Sequence, residues 1–129
     1  MAIAVALDTN GYVDLCRGEE TAKVVMSTAR RIVLPFVVLA ELRCGFQRGT
    51  LARPNERYLA RFIESHRVEI VYADDATTHQ YAGLYAELRR KGTLIPTNDI
   101  WIAALAIQHG LALFTRDRHF DHVPRLARI

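Results

Sequence analysis

Four acidic residues stand at positions where their side chains suit chemistry on a charged substrate. Asp8 and Asp117 each follow a short apolar run, Asp99 begins an apolar helical pattern, and Glu41 interrupts another. Carboxylates that converge raise one another's pKa unless a cation neutralises them. A ligand set of oxygens, without cysteine or histidine, favours the hard ions Mg²⁺ or Mn²⁺. Such a site suits phosphoryl transfer, in which the ion polarises a phosphoryl oxygen and generates hydroxide.

Each of these acids also has an ordinary structural explanation, and the residues alone leave both explanations open. Asp8 and Asp117 suit turns or helix N-caps, and Asp99 suits the favourable dipole of a first helical turn. Glu41 suits a weak surface ion pair with an arginine of its own helix, Arg43 or Arg48. The structural explanation is weakest for Asp99, because the start of its apolar helix is predicted to be buried and an unpaired buried carboxylate is energetically costly.

The elements that must position these acids alternate along the chain. Apolar runs predict strands, and amphipathic or apolar patterns predict helices. The predicted strands are 2–7, 32–34, 68–72 and 111–115, and the predicted helices are 11–16, 20–30, 36–47, 54–66, 75–91 and 97–109. This alternation predicts a single three-layer α/β/α domain over residues 1–129, with a mostly parallel central sheet. Ligands bind beyond the carboxyl ends of parallel strands, so Asp8 and Asp117 should project toward that edge.

Composition excludes several classes of protein. The chain has 129 residues, half of them apolar and 24% charged, with a net charge of +3, which is typical of one globular domain. The longest apolar runs, 1–7 and 100–107, are too short for a membrane span, and no signal peptide is recognisable. Cys16 and Cys44 form no pair with metal or disulfide spacing. We therefore expect a cytoplasmic protein with reduced thiols and no membrane association.

Several common catalytic motifs are absent. The sequence has no dinucleotide or P-loop glycine pattern, no G-x-S-x-G elbow and no H-E-x-x-H zinc motif. His119 and His122 fall in a predicted loop, where we expect no functional role. A receiver-type phosphoacceptor should carry a second acid beside Asp8 and a lysine after a late strand, but residues 9–11 are Thr-Asn-Gly and residues 111–118 contain no lysine.

Four motifs together resemble a known family. The segments 7–10 (LDTN), 39–45 (LAELRCG), 95–104 (IPTNDIWIAA) and 115–117 (TRD) fall in the order and spacing of PIN domains. In length and order the chain is most similar to VapC-type toxins of bacterial toxin–antitoxin pairs, from residue 3 to about residue 122. One departure is Asn98, where some relatives carry another acid that would help to hold a second metal ion.

The resemblance implies a Mg²⁺-dependent endoribonuclease that cleaves structured RNA, for which Mn²⁺ is a possible substitute ion. It also implies a homodimer that is held inactive by a small VapB-like antitoxin. By the family pattern, the catalytic and metal-binding acids are Asp8, Glu41, Asp99 and Asp117, with Asp8 and Asp99 the most direct ligands. Asn10 and Thr115 fall where the family often places polar residues that support those ligands.

The chemistry implied is in-line attack of an activated water on a phosphodiester. Either Glu41 or Asp117 is the general base. Arginines next to the acidic motifs are candidates for contacts with RNA phosphates, with solvated surface as the alternative; they are Arg43, Arg48, Arg116 and Arg118. A housekeeping RNA-processing nuclease, a DNA-cleaving nuclease and a non-catalytic nucleic-acid-binding module are the alternative functions.

Overall fold

Four parallel strands form one sheet flanked by six α-helices in the computed structural model, which describes residues 3–129. The strands are β1 (Ala4–Leu7), β2 (Arg31–Pro35), β3 (Val68–Val71) and β4 (Ala112–Phe114). The helices are α1 (Thr9–Cys16), α2 (Glu20–Thr28), α3 (Phe36–Arg48), α4 (Ala52–Glu64), α5 (Asp75–Arg90) and α6 (Thr97–Gln108), followed by a 3₁₀ helix (Arg118–His122). The predicted fold class is confirmed. Residue 2, where the first predicted strand began, lies outside the described residues.

The order of the strands creates a crevice beside β1. The sheet runs β3-β2-β1-β4, so the chain builds outward from β1 to β3 and then returns to the opposite side of β1. Val5 pairs in register with Ile32 of β2 and with Ala112 of β4. In open parallel sheets, ligands bind outside the carboxyl ends of the strands where the order reverses. The carboxyl ends of β1 and β4 therefore mark the expected site.

Helix α6 forms the centre of the core next to this edge. Its residues from Ile102 to Ala106 are all buried, and the helix packs against α3, α5 and β4. A helix that is apolar on every face must be enclosed on every face, as the sequence predicts. Because the body of α6 is held on several sides, its first turn is fixed relative to the ends of β1 and β4.

The structure also describes the two cysteines and the hydropathy of the helices. Cys16 and Cys44 are both exposed and unbonded. Among residues 3–129, no helix combines the length and the hydropathy that crossing a membrane requires.

Candidate functional site

The four predicted acids line a single cavity of about 230 Å³ at the carboxyl edge of the sheet. Its lining residues are Asp8, Thr9, Asn10, Glu41, Asp99, Ile102 and Asp117. They come from the end of β1, from α1, α3 and α6, and from the segment after β4. The fold thus brings together carboxylates that are up to 109 positions apart in the sequence.

Asp8 is both the N-cap of α1 and a wall of the cavity. Its Oδ1 accepts a hydrogen bond from the backbone N–H of Gly11 at 2.7 Å, and its Oδ2 accepts one from the Thr115 hydroxyl. The side chain is almost fully buried, and this burial raises its pKa above the usual value, partly offset by the two donors. The nearby Asp117 carboxylate raises the pKa further. Asp8 is therefore an N-cap, as one of its two explanations predicts, and the same carboxylate also faces the cavity.

Gly11 is a residue that the sequence analysis missed. A Cβ at this position would lie 2.9 Å from the Phe114 carbonyl oxygen and 3.1 Å from Asp8 Oδ1. Only glycine allows the first turn of α1 to approach the end of β4 this closely. The Asp-x-x-Gly spacing after a buried strand was the available signal.

Asp99 lies in the first turn of α6, as the sequence predicts. Pro96 is the N-cap of the helix, and the Asp99 backbone N–H donates to the Pro96 carbonyl at 3.0 Å. The side chain is 14% exposed, and burial raises its pKa. A hydrogen bond with His119 lowers the pKa, whereas the carboxylates of Asp117 and Glu41 raise it. A divalent cation in the cavity would relieve this repulsion.

Glu41 is held by two side chains that arrive from other elements. Thr9 Oγ1 donates to its Oε1 at 2.6 Å, and Asn98 Nδ2 contacts its Oε2 at 3.4 Å. The predicted surface pair with Arg43 is wrong, because Arg43 Nε instead donates to Glu56 Oε1 of α4 at 2.8 Å. The bond from Thr9 was missed, although the predicted support residue Asn10 does line the cavity.

Asp117 caps the 3₁₀ helix that follows β4. Its Oδ1 accepts from the backbone N–H of His119 at 2.9 Å, and its own N–H donates to Thr115 Oγ1 at 3.0 Å. Thr115 thus bonds to both Asp8 and Asp117 and fixes one relative to the other. The predicted support residue Thr115 thus contacts two of the four acids.

His119 joins the acidic cluster, where the sequence analysis expected an uninvolved loop residue. Its Nδ1 lies 2.9 Å from Asp99 Oδ2 and 3.3 Å from Asp117 Oδ1. A ring nitrogen therefore lies beside the oxygens of Asp99 and Asp117, although His119 is not among the residues that line the cavity. The 3₁₀ turn places this ring, and a two-residue spacing from Asp117 is a weak signal in the sequence.

The four predicted RNA-binding arginines are placed differently. Arg116 donates to both carboxylate oxygens of Asp14, at 2.9 and 3.2 Å, and this contact lowers the pKa of Asp14. Arg48 lines a groove of about 400 Å³ next to Glu41, and Arg118 lines another of about 490 Å³ that includes Asp117. Arg48 and Arg118 flank the acidic cavity, whereas Arg43 is paired with Glu56 of α4.

The residues that line the cavity are chemically suited to bind a divalent cation. Several carboxylates share one small cavity, and two of them have raised pKa values. Among residues 3–129, no lysine or arginine lines this cavity. Anionic oxygens at this density are stabilised by a cation that bridges them.

Comparisons with known proteins show what the chain is similar to. The family model of the PIN domain matches residues 5–126. Ribonuclease VapC4 of Mycobacterium tuberculosis is 34% identical over 88 residues, 68% of each chain, and Ribonuclease VapC2 of Rickettsia felis is 33% identical over 96 residues, 74% of this chain and 70% of that one. The crystal structure of VapBC2 from Rickettsia felis, bound to a DNA fragment from its promoter, matches with a TM-score of 0.85, 27% identity and 98% coverage of both chains.

Proposed function

The chain belongs to the PIN domain family, and from this premise we propose that it is a Mg²⁺-dependent endoribonuclease and the toxin of a toxin–antitoxin pair. The observation that carries the proposal is the convergence of four carboxylates on one cavity at the carboxyl ends of β1 and β4. The names of the relatives support the polymer that is cut, since VapC4 and VapC2 are both called ribonucleases.

In this proposal the four carboxylates bind the ion, and hydrogen-bond donors of the chain orient the carboxylates. Asp8 and Asp99 are the most direct ligands, and Glu41 and Asp117 hold the ion directly or through water. When bound, Mg²⁺ supplies Lewis-acid polarisation of the phosphoryl group and lowers the pKa of a water, and Mn²⁺ can replace it. Thr115 fixes Asp8 and Asp117, while Thr9 and Asn98 orient Glu41, so that the carboxylates are already in position before substrate arrives.

Glu41 and Asp117 are the two candidates for the proton acceptor. Both line the cavity, and neither is buried as deeply as Asp8. A base must lie within hydrogen-bond reach of the attacking water, which suits the less buried members of the cluster. The variants Glu41→Gln and Asp117→Asn distinguish the two candidates. Loss of the residue that acts as the base removes the corresponding limb of the pH–rate profile, and loss of the other residue leaves that limb in place.

The surroundings of the cavity support a polyanionic substrate. Arg48 and Arg118 lie in grooves on either flank of the acidic residues, where their forked guanidinium groups suit phosphate oxygens. We propose that structured RNA lies across the acidic cavity with its backbone held by these two arginines. Arg48→Ala should weaken RNA binding, and Arg43→Ala is the matched control because Arg43 is engaged with Glu56.

The test is incubation of the purified protein with labelled RNA and DNA, with Mg²⁺ and with EDTA. We expect cleavage of RNA only, lost in EDTA and restored by Mg²⁺ or Mn²⁺. Asp99→Asn should lower the rate by at least about 10- to 100-fold, as loss of metal-site residues does. Asp75→Asn is the control, since Asp75 is a fully solvated acid on α5. Full activity in EDTA would refute the proposed dependence on a metal ion. Cleavage of DNA alone would favour the DNA-cleaving alternative.

The toxin role has its own test in cells. The VapBC2 structure supports a small VapB-like antitoxin as the partner of this chain. Expression of the chain alone in bacteria should arrest growth, expression of Asp99→Asn should not, and co-expression of the cognate antitoxin should restore growth. A chain that cuts RNA in vitro but is harmless at high expression would favour housekeeping RNA processing. The homodimer and the cytoplasmic location stay predictions.

A further inference from the structure

One nitrogen donor lies beside the acidic cavity, next to two of the carboxylates that line it. His119 Nδ1 faces Asp99 Oδ2 and Asp117 Oδ1, and the donor atoms of the three residues all lie within 4.8 Å of one another. The four-carboxylate set proposed above does not use His119. The position of this ring is therefore a feature that the proposed function leaves unexplained.

The spacing of these atoms matches that of ligands on one ion. Two donors bound at about 2.1 Å, with angles of about 90–110° at the metal, lie about 3.0–3.4 Å apart. The observed separations of His119 Nδ1 from the two carboxylate oxygens are 2.9 and 3.3 Å. The three donor atoms therefore lie at separations that a single ion would bridge.

The fold also fixes the ring in this position. The His119 N–H donates to Asp117 Oδ1, which ties the histidine to one of its neighbours in the cluster. The next residue, Phe120, is almost fully buried and anchors the 3₁₀ helix to the core. The Asp99 partner comes from the first turn of α6, which is itself held by the core.

We propose that Asp99, Asp117 and His119 form a binding position for a first-row transition-metal dication and that His119 makes this position select such ions over Mg²⁺. The inference rests on the proposed function, in which Mg²⁺ binds through the four carboxylates and supports cleavage; it adds that His119 raises the affinity for transition-metal ions above that for Mg²⁺. Imidazole nitrogen is a good ligand for Co²⁺, Ni²⁺ and Zn²⁺, whereas Mg²⁺ prefers oxygen. His119 ligates in the tautomer that carries its proton on Nε2.

The alternative is that His119 only orients Asp99 through a hydrogen bond. In that case loss of the ring would affect the binding of all divalent ions to a similar degree. A ligand role instead changes the ratio of two affinities, which a purely orienting role leaves unchanged. The ratio is therefore the quantity to measure.

The experiment is calorimetric titration of the full chain with Co²⁺ and with Mg²⁺, together with the visible absorption of bound Co²⁺. His119→Ala should weaken Co²⁺ binding by about 10- to 100-fold and Mg²⁺ binding by less than about threefold. His119→Asp replaces the nitrogen with an oxygen and should lower the Co²⁺-to-Mg²⁺ affinity ratio by at least about tenfold. Circular dichroism should show that both variants stay folded, because the His119 side chain is half-exposed.

His122→Ala is the matched control, because His122 lies in the same 3₁₀ helix outside the cluster. An unchanged affinity ratio in both His119 variants would overturn the inference while leaving the four-carboxylate site intact. A loss of Co²⁺ binding in His122→Ala equal to that in His119→Ala would also overturn it, as adventitious surface binding. Failure of the wild type to bind any divalent ion would refute this inference and the proposed function together.

Discussion

Asp8→Asn and Asp8→Ala are expected to abolish metal binding alike but to differ in the stability of the metal-free protein. Asp8 accepts from the Gly11 N–H at the start of α1 and from the Thr115 hydroxyl, and its burial raises the pKa of the carboxyl group. Asparagine keeps an oxygen for the helix cap and removes the buried charge. Alanine removes the charge but also leaves both donors without their acceptor.

The magnitudes follow from these contacts. Loss of an N-cap costs about 1 kcal/mol, and a hydroxyl deprived of its partner adds about 1–3 kcal/mol, part of which is offset by removal of the buried charge. We expect Asp8→Ala to lower the free energy of unfolding by about 1–3 kcal/mol. Asp8→Asn should lie within about 1 kcal/mol of wild type, since the cap remains. For a chain of this length, 1 kcal/mol corresponds to about 4 °C in Tm.

Addition of Mg²⁺ gives the second half of the same prediction. An ion at 100 times its Kd stabilises the folded state by about 2.7 kcal/mol, so wild type should gain roughly 10 °C in Tm. Both Asp8 variants should gain far less, because each lacks a direct ligand.

The assay is urea unfolding at neutral pH in EDTA and again in Mg²⁺. If Asp8→Asn proves as unstable as Asp8→Ala in EDTA, the charge of Asp8 is itself stabilising and the reasoning from burial is refuted. If Mg²⁺ stabilises Asp8→Asn as much as wild type, Asp8 is not a ligand.

Three further predictions concern the metal-free protein and the geometry of the site. The raised pKa values of Asp8 and Asp99 give stability that is full below the unfolded pKa and lost as pH rises through the folded pKa. In EDTA, the free energy of unfolding of wild type should therefore rise relative to that of the double variant Asp8→Asn, Asp99→Asn as pH falls from about 7 to about 4. Urea unfolding measures this difference. Gly11→Ala should cost about 1–3 kcal/mol by overpacking and reduce cleavage, whereas Gly45→Ala on α3, where a Cβ meets nothing, should stabilise by about 0.5–1 kcal/mol; thermal melts compare the two. Wild type in EDTA should still unfold in one cooperative transition, and a non-cooperative melt would contradict this.

Much of the fold was accessible from the sequence because its signals are local. Each short apolar run became a strand, and α6 is apolar on all faces because it is enclosed on all faces. The cavity followed from a general property of parallel sheets, namely that residues after neighbouring strands meet at one edge. Asp8 and Asp117 needed no knowledge of side-chain contacts to be placed there.

The missed contacts depend on tertiary geometry that no short pattern contains. Thr9 reaches Glu41 across 32 positions, and whether Thr9 or Asn10 does so depends on where α1 begins. The helix was predicted from residue 11, but it begins at Thr9. The side chains of residues 9 and 10 therefore take directions set by the helix and not by a loop. His119 reaches Asp99 only because a 3₁₀ turn replaces the expected loop.

The expectation that the metal-free chain stays folded rests on where the acids lie. Asp8 caps α1 and Asp99 lies in the first turn of α6, so that the partial positive charge of a helix N-terminus faces each of them. Asp117 is held by a backbone N–H, and Glu41, in the body of α3, is held by a hydroxyl donor from Thr9. Every member of the cluster therefore has a donor or a helix terminus that offsets part of the mutual repulsion before a cation binds. Because that compensation belongs to the fold, the ion adds stability to a site that is already formed.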